Sequence, residues 1–305
     1  MKRVVGITNA FTDILYSVTE EDLRRLGIPK GKTIPIEKID SRALLDLTSR
    51  KPFKKFLGGC PTNTLRSLNN LGFVCSLIGA VGEDDIGKEF LNQLFDEKIG
   101  NHFAKVPGKK SGRIFVLVAP DGERSFVMEG EAYTHYFDAD FENLPNPDLF
   151  YSSGYEFVCN PKKMLSFIES LKKSGTKIGF DFASEVATKN CPEFFKKMIS
   201  KSDIVFASKE ELEVLGGLKE NLIDGKTFIL KKGEEGSRIY HDGESVDISP
   251  FKNIKIINTN GAGDSYAAGF LYKYLLGEKL RDCGNFATHI ASKVCAQEES
   301  WYKGD

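Results

Sequence analysis

Short apolar, β-branched runs alternate with amphipathic stretches along most of the chain. Val4-Val5-Gly6-Ile7, Ser76-Leu77-Ile78-Gly79, Leu149-Phe150-Tyr151, Ile178-Gly179-Phe180, Asp203-Ile204-Val205-Phe206, Phe228-Ile229-Leu230 and Ile254 to Ile257 read as buried strands. Between them the apolar spacing becomes helical and the helix ends are marked. Pro61 suits a first turn, and the stripe Leu65, Leu68, Leu71 stops at Gly72. Asn160-Pro161 opens a second helix that Gly175 closes, and Ser208-Lys209-Glu210-Glu211 opens a third that ends at Gly216-Gly217. Tyr266 through Leu276 is strongly helical as well. This alternation predicts an α/β fold whose mainly parallel sheet is covered on both faces, with ligands expected at the C-terminal strand ends.

Two stretches depart from the alternation. Tyr16 to about Ile36 carries strand-like pieces around a helical Glu20–Arg25 segment. Gly112–Val118 then turns through Pro120-Asp121-Gly122-Glu123 into Arg124–Met128, a hairpin pattern in which Pro presets the turn and Gly supplies its positive φ. Strands without neighbouring helices suggest a small sheet projecting from the core. The alternative is an edge hairpin with no moving role.

The composition leaves this picture intact and narrows the function. A chain of 305 residues with 41% hydrophobic and 28% charged residues can bury a sizeable core. A net charge of -1 gives no basic field for nucleic acid or a membrane surface. No apolar run approaches a membrane span and the N-terminus lacks the pattern of a signal peptide, so the expectation is a cytoplasmic protein. Cys60, Cys75, Cys159, Cys191, Cys283 and Cys295 lack CxxC spacing and are expected as reduced thiols; the four histidines lack metal spacing.

The candidate chemistry is concentrated in Asn258-Thr259-Asn260-Gly261-Ala262-Gly263-Asp264, at the entry to the Tyr266 helix. Unpaired N–H groups and the helix dipole favour an anion there, and Gly-Ala-Gly leaves room for one to approach. Asp264 follows at once, so an anion cradle lies beside a carboxylate able to accept an alcohol's proton. A plain turn with Asp264 as helix cap is the structural alternative. The whole string, with the small residues Ala267-Ala268-Gly269, resembles the C-terminal signature of the ribokinase-like (PfkB) carbohydrate and nucleoside kinases, except that Asn258 stands where that family usually has Asp.

Further segments carry the same resemblance. Leu57-Gly58-Gly59-Cys60-Pro61-Thr62-Asn63-Thr64 is similar to the family's acceptor turn, which implies that Gly58, Gly59 and Asn63 contact acceptor hydroxyls. Asp13 resembles the acid that grips paired sugar hydroxyls, and Asn9 four residues earlier resembles the adenosine-kinase subgroup. Lys231-Lys232-Gly233-Glu234-Glu235-Gly236 resembles the nucleotide loop, with Lys231 in place of the usual Thr; Gly233, Gly236 and Asn260 are assigned to the nucleotide with it. Each of these segments read alone is also an ordinary turn or hairpin. Glu211 matches a position linked in the family to magnesium and phosphate, yet Ser208 and Glu211 equally form a capping box. Asp181-Phe182-Ala183 lacks the Asn that many sugar kinases carry two positions after the Asp. Gly82–Lys88 has Walker A spacing but three acids in the loop and Glu89 where Ser or Thr is needed; it is similar instead to a family turn carrying Gly79, Gly82 and Asp84.

The resemblance implies a single domain over 1–305 with a three-layer α/β/α core, a central mainly parallel sheet and a β-sheet lid built from insertions at about 14–37 and 109–130. It implies an ATP-dependent, Mg²⁺-requiring kinase, with a monovalent cation left open, in which Asp264 is the base and the Gly261, Ala262 and Gly263 amides hold the phosphoryl group. The acceptor is expected to be a nucleoside, adenosine first, with a sugar such as ribose or fructose as the alternative. A non-catalytic family member that binds such ligands is the competing class. Monomer and homodimer both remain open.

Overall fold

The computed structural model describes all residues except 142, 143, 145, 157–159, 220–222, 253 and 305, so Cys159 lies outside the described residues. Its main sheet runs in the order β14-β13-β12-β11-β10-β9-β1-β5-β6. The strands are β1 (Arg3–Ile7), β5 (Val74–Gly82), β6 (Gly100–Val106), β9 (Leu149–Ser153), β10 (Lys177–Asp181), β11 (Ile204–Ser208), β12 (Thr227–Lys231), β13 (Ser237–His241) and β14 (Glu244–Ile248). Pairing is parallel from β6 through β12 and antiparallel for β12–β13 and β13–β14.

Alternate strand residues feed two separate cores, as a pleated strand covered on both faces requires. Val4, Leu149, Tyr151, Ile204 and Phe206 pack with helices α3 (Cys60–Asn70), α4 (Asp85–Asp96), α9 (Ala262–Leu275) and α10 (Leu280–Cys295). Val5, Phe150, Ile178, Phe180 and Val205 pack on the other face against α5 (Pro161–Lys173), α6 (Glu185–Asn190), α7 (Pro192–Lys201) and α8 (Lys209–Val214). The result is the expected three-layer core. The parallel strands β1, β9, β10, β11 and β12 end on one side of the sheet, where the candidate residues gather.

A second sheet, ordered β3-β8-β7-β2-β4, is built from β2 (Phe11–Ser17), β3 (Thr33–Pro35), β4 (Phe53–Gly58), β7 (Gly112–Val118) and β8 (Arg124–Glu129). The expected small sheet and the helical Glu20–Arg25 segment are both present, but the sheet is not free of neighbouring helices. Helices α1 (Glu20–Leu26) and α2 (Ser41–Arg50) cover one face, where Ile14, Tyr16, Phe115 and Leu117 meet Leu23, Leu26, Leu44 and Leu47. Asp13 and Arg124 belong to the opposite face by register.

One expected strand is absent. Residues 254–257 form no ladder, and Ile256 and Ile257 are 62% and 54% exposed. The amides of Ile257 and Asn258 donate to the Cys295 carbonyl at the end of α10 instead. The Walker-like segment is structural: Asp84 caps α4 through the Gly87 N–H at 2.8 Å and accepts the Ser111 hydroxyl at 2.6 Å. Among the described residues no helix is long and apolar enough to cross a membrane.

Candidate active site

Asp264 sits in the first turn of α9, whose N-cap is Gly261. Gly261 has φ +72°, and a Cβ there would lie 1.8 Å from the Ser300 carbonyl oxygen, so only glycine allows the turn to nest against the C-terminal segment. The Ala262 N–H donates to Thr259 O at 3.2 Å. The amides of Gly261 and Gly263 are therefore the open donors of the turn among the described residues, and they lie at the positive end of the helix. Asn63, one helix away on α3, donates from Nδ2 to Asp264 Oδ2 at 2.9 Å. Burial pushes the Asp264 carboxyl up to about 6, the Asn63 hydrogen bond opposes this, the Asp181 charge adds to it and Lys231 opposes it. Such a carboxylate is ionised at neutral pH and still basic enough to take a hydroxyl proton.

The expected acceptor residues converge from three elements. Asp13 lies on β2 rather than in a turn, and Gly58 at the end of β4 is its close neighbour; a Cβ on Gly58 would meet Asp13 Oδ1 at 2.6 Å. Gly59 caps α3, from which Asn63 points to Asp264. Asn9 follows β1, donating its Nδ2 to the Tyr155 carbonyl at 3.0 Å, while its backbone N–H donates to Glu156 at 3.1 Å. Oδ1 of Asn9 and Oδ1 of Asn63 are buried with no partner among the described residues, which fits acceptor hydroxyls as donors. Burial lifts Asp13 to about 7, and Arg124 pulls it down.

The expected nucleotide residues occupy the adjoining strand ends. Lys231 closes β12 and bonds both Asp181 oxygens at 2.8 Å. Gly233 and Gly236 bound the tight turn that follows, with Gly236 O accepting the Lys232 N–H at 2.9 Å. Asn260 donates its N–H to Asn258 Oδ1 at 2.8 Å. Glu211 forms the capping box with Ser208, its carboxylate accepting the Ser208 N–H at 2.7 Å. Burial raises the Glu211 carboxyl and Lys231 opposes the rise. Among the described residues no three His, Cys, Asp or Glu side chains form a metal cage. One or two carboxylates beside nucleotide phosphates is nonetheless the usual donor set for Mg²⁺, and Glu211 fits it, whereas both Asp181 oxygens are taken by Lys231.

Asn258, the departure from the usual Asp, has its own explanation. Its Nδ2 donates to Glu298 O at 2.7 Å, and its Oδ1 accepts both from Asn260 N–H and from Arg124 Nη2 at 2.8 Å. Only an amide both donates and accepts in this way. The tie joins the small sheet, the anion turn and the C-terminal segment. Sequence reasoning missed Arg124 and also Glu156, which is fully buried and held by Ser153 and the Asn9 amide; burial lifts it to about 7. It missed Cys60 as well, whose thiol is pushed up by burial and by the Asp264 charge.

Comparison with known proteins agrees with this geometry. The model of the pfkB family carbohydrate kinases matches residues 40–302. The 5-dehydro-2-deoxygluconokinase of Clostridium botulinum (strain Alaska E43 / Type E3) is 30% identical over 283 residues, covering 83% of this chain and 83% of its own. The crystal structure of adenosine kinase from Sinorhizobium meliloti matches with a TM-score of 0.83 at 24% identity, over 98% of this chain and 95% of that one. A probable sugar kinase from Rhizobium etli CFN 42 also gives a TM-score of 0.83 at 24% identity, over 98% and 94% of the two chains. At that identity the likeness speaks for the fold, which is the ribokinase-like one.

Proposed function

The chain belongs to the pfkB family of carbohydrate kinases, and from that premise we propose that it transfers the γ-phosphoryl group of ATP to a hydroxymethyl group of a small polyhydroxylated acceptor. The observation that carries this reading is the Asn63–Asp264 hydrogen bond of 2.9 Å at the mouth of the α9 anion turn. It supports a carboxylate that works between α3, read as the acceptor helix, and the turn where phosphoryl charge would be held. Asp264 takes the hydroxyl proton as the acceptor oxygen bonds to phosphorus, and the open amides of Gly261 and Gly263 stabilise the phosphoryl oxygens, the Ala262 amide expected with them being taken by the Thr259 carbonyl. Asn9, Asp13, Gly58, Gly59 and Asn63 hold the acceptor; Lys231, Gly233, Gly236 and Asn260 face the nucleotide. The divalent metal that this family uses with ATP would neutralise phosphate charge, and Glu211 would help to hold it. The small sheet closes over the acceptor and excludes water, which protects the phosphoryl group from hydrolysis.

For the acceptor, a sugar acid is favoured. The curated relative at 30% identity is named for a gluconate derivative, and Arg124 brings a half-buried cation to the face of the small sheet that carries Asp13. A nucleoside, adenosine first, is the second reading; the Asn9–Asp13 pair at the end of β1 and the start of β2 supports it. The test is ADP release with Mg·ATP against 5-dehydro-2-deoxygluconate, ribose, fructose and adenosine. Turnover strongest on the acid supports the first reading, and turnover on adenosine alone replaces it with the second. ATP binding without turnover on a broad panel would favour a non-catalytic member and contradict the proposal.

A further inference from the structure

Lys231 stands out among the charged groups of the site. Its side chain is only 18% exposed, and both of its short bonds go to one carboxylate, Asp181, which is 3% exposed. Asp181 is held in turn by the Ala183 N–H at 3.0 Å, so the carboxylate is fixed whether or not the ammonium stays on it. Lys231 Nζ also lies 3.5 Å from where a Cβ on Gly263 would be, against the first turn of α9. Glu211 and Asp264 act on the same ammonium from α8 and α9. One flexible cation is thus parked on a rigid carboxylate, within reach of an amide cradle made for an anion.

We propose that Lys231 is a catalytic residue that contacts the transferring phosphoryl group, its ammonium moving from Asp181 to the γ-phosphoryl oxygens when nucleotide binds. This rests on the phosphotransferase reading and extends it from nucleotide binding to the chemical step. The bond from acceptor oxygen to phosphorus forms as the bond from phosphorus to the bridging oxygen of ADP breaks. The electron pair leaves with ADP, the hydroxyl proton goes to Asp264, and Lys231 remains protonated throughout. A lysine suits this role because its four-carbon stem is flexible and its charge compact. Preorganised cations at a transferring phosphoryl group act mainly on charge present in the transition state.

The test compares binding of AMP-PNP and ADP, each with Mg²⁺, by calorimetry in the wild type and in Lys231→Met, with single-turnover rates alongside. The preference for AMP-PNP over ADP should fall by about tenfold in the variant, because only AMP-PNP carries the γ-phosphoryl group. The single-turnover rate should fall by about 10²–10³-fold with the acceptor KM unchanged. Lys231→Met leaves Asp181 buried and unpaired, which endangers folding. Lys231→Met/Asp181→Asn removes both charges and should show the same two losses. An unchanged nucleotide preference and rate in a folded variant would reduce Lys231 to a structural partner of Asp181 and overturn the proposal. The binding ratio needs no acceptor, so it decides the role of Lys231 even where the acceptor assignment fails; a wild type that binds neither nucleotide would overturn the kinase reading and this proposal together.

Discussion

At the scale of single residues, the site depends on a carboxylate that is buried but kept ionised. Asp264 is faced by Cys60 and Asn63 from α3, by Asp181 from β10 and by Lys231 from β12; burial carries its carboxyl to about 6 and the Asn63 bond holds it from going higher. As the proposed base, Asp264 would work only when deprotonated, so turnover should fall as pH drops below about 6, by about tenfold per unit. Asn63→Ala removes the N–H that orients and stabilises the carboxylate. It should lower kcat by about 10–10²-fold and move the acid limb of the pH–rate profile upward. A limb that stays in place in that variant would mean Asp264 is not the titrating group. Asp264 could be proposed from the sequence because the turn beside it is contiguous in the chain. Its partners could not: the Arg124–Asn258 and Lys231–Asp181 contacts span 134 and 50 positions, and neither pair has a local pattern.

At the scale of elements, strands buried on both faces could be read directly, and edge strands could not. β4, with Lys54 and Lys55 exposed, and β6 and β14, with their mixed burial, lack a continuous apolar run. The Ile254–Ile257 run has the right residues, but its backbone is tied to the end of α10 through the Ile257 N–H and the Cys295 carbonyl instead of to a strand. Element junctions matter most where backbones touch. Gly261→Ala would drive a Cβ into the Ser300 carbonyl, 1.8 Å away, and displace the anion turn. A shift of that kind should cost on the order of 10² in kcat while acceptor binding persists; near-normal kcat in Gly261→Ala would show that the turn does not hold the phosphoryl group. The Arg124–Asn258 tie links the small sheet to the same turn. Arg124→Met should raise the KM for an acidic acceptor by about tenfold and leave a neutral one nearly unchanged, as loss of a charge-assisted contact would. Equal effects on both acceptors would assign Arg124 to sheet docking alone.

At the scale of the whole molecule, three buried carboxyls gather where the sheets meet. Asp13 and Glu156 are lifted to about 7 and Asp264 to about 6, chiefly by burial. The folded chain therefore binds protons that the unfolded chain has already released. Their contribution to stability is fullest below about pH 4 and is lost as pH rises through 6 to 7. Asp22, held near 2 by its Thr19 and Lys51 bonds against burial, and Asp84 and Asp148, also lowered, act in the opposite sense and lose their contribution as pH falls below about 4. Thermal melts of the ligand-free protein should therefore give their highest Tm near about pH 5 and a lower one at about pH 8. A Tm that rises steadily to pH 8 would mean these carboxyls are not buried as described. Composition and alternation were enough to read the layered architecture and the site's position at the strand ends, because both follow from local patterning. The second sheet's helical cover and the charge balance of its interface depend on packing between distant segments.

The most direct test of the central claim is the acceptor-dependent rate of ADP formation in Asp264→Asn set against the wild type, with nucleotide affinity measured on the same preparations. Asparagine keeps the size of the side chain and removes its basicity. The account predicts a fall in kcat of about 10²–10⁴-fold with ATP still bound. A folded Asp264→Asn enzyme that binds ATP and turns over at the wild-type rate would contradict it.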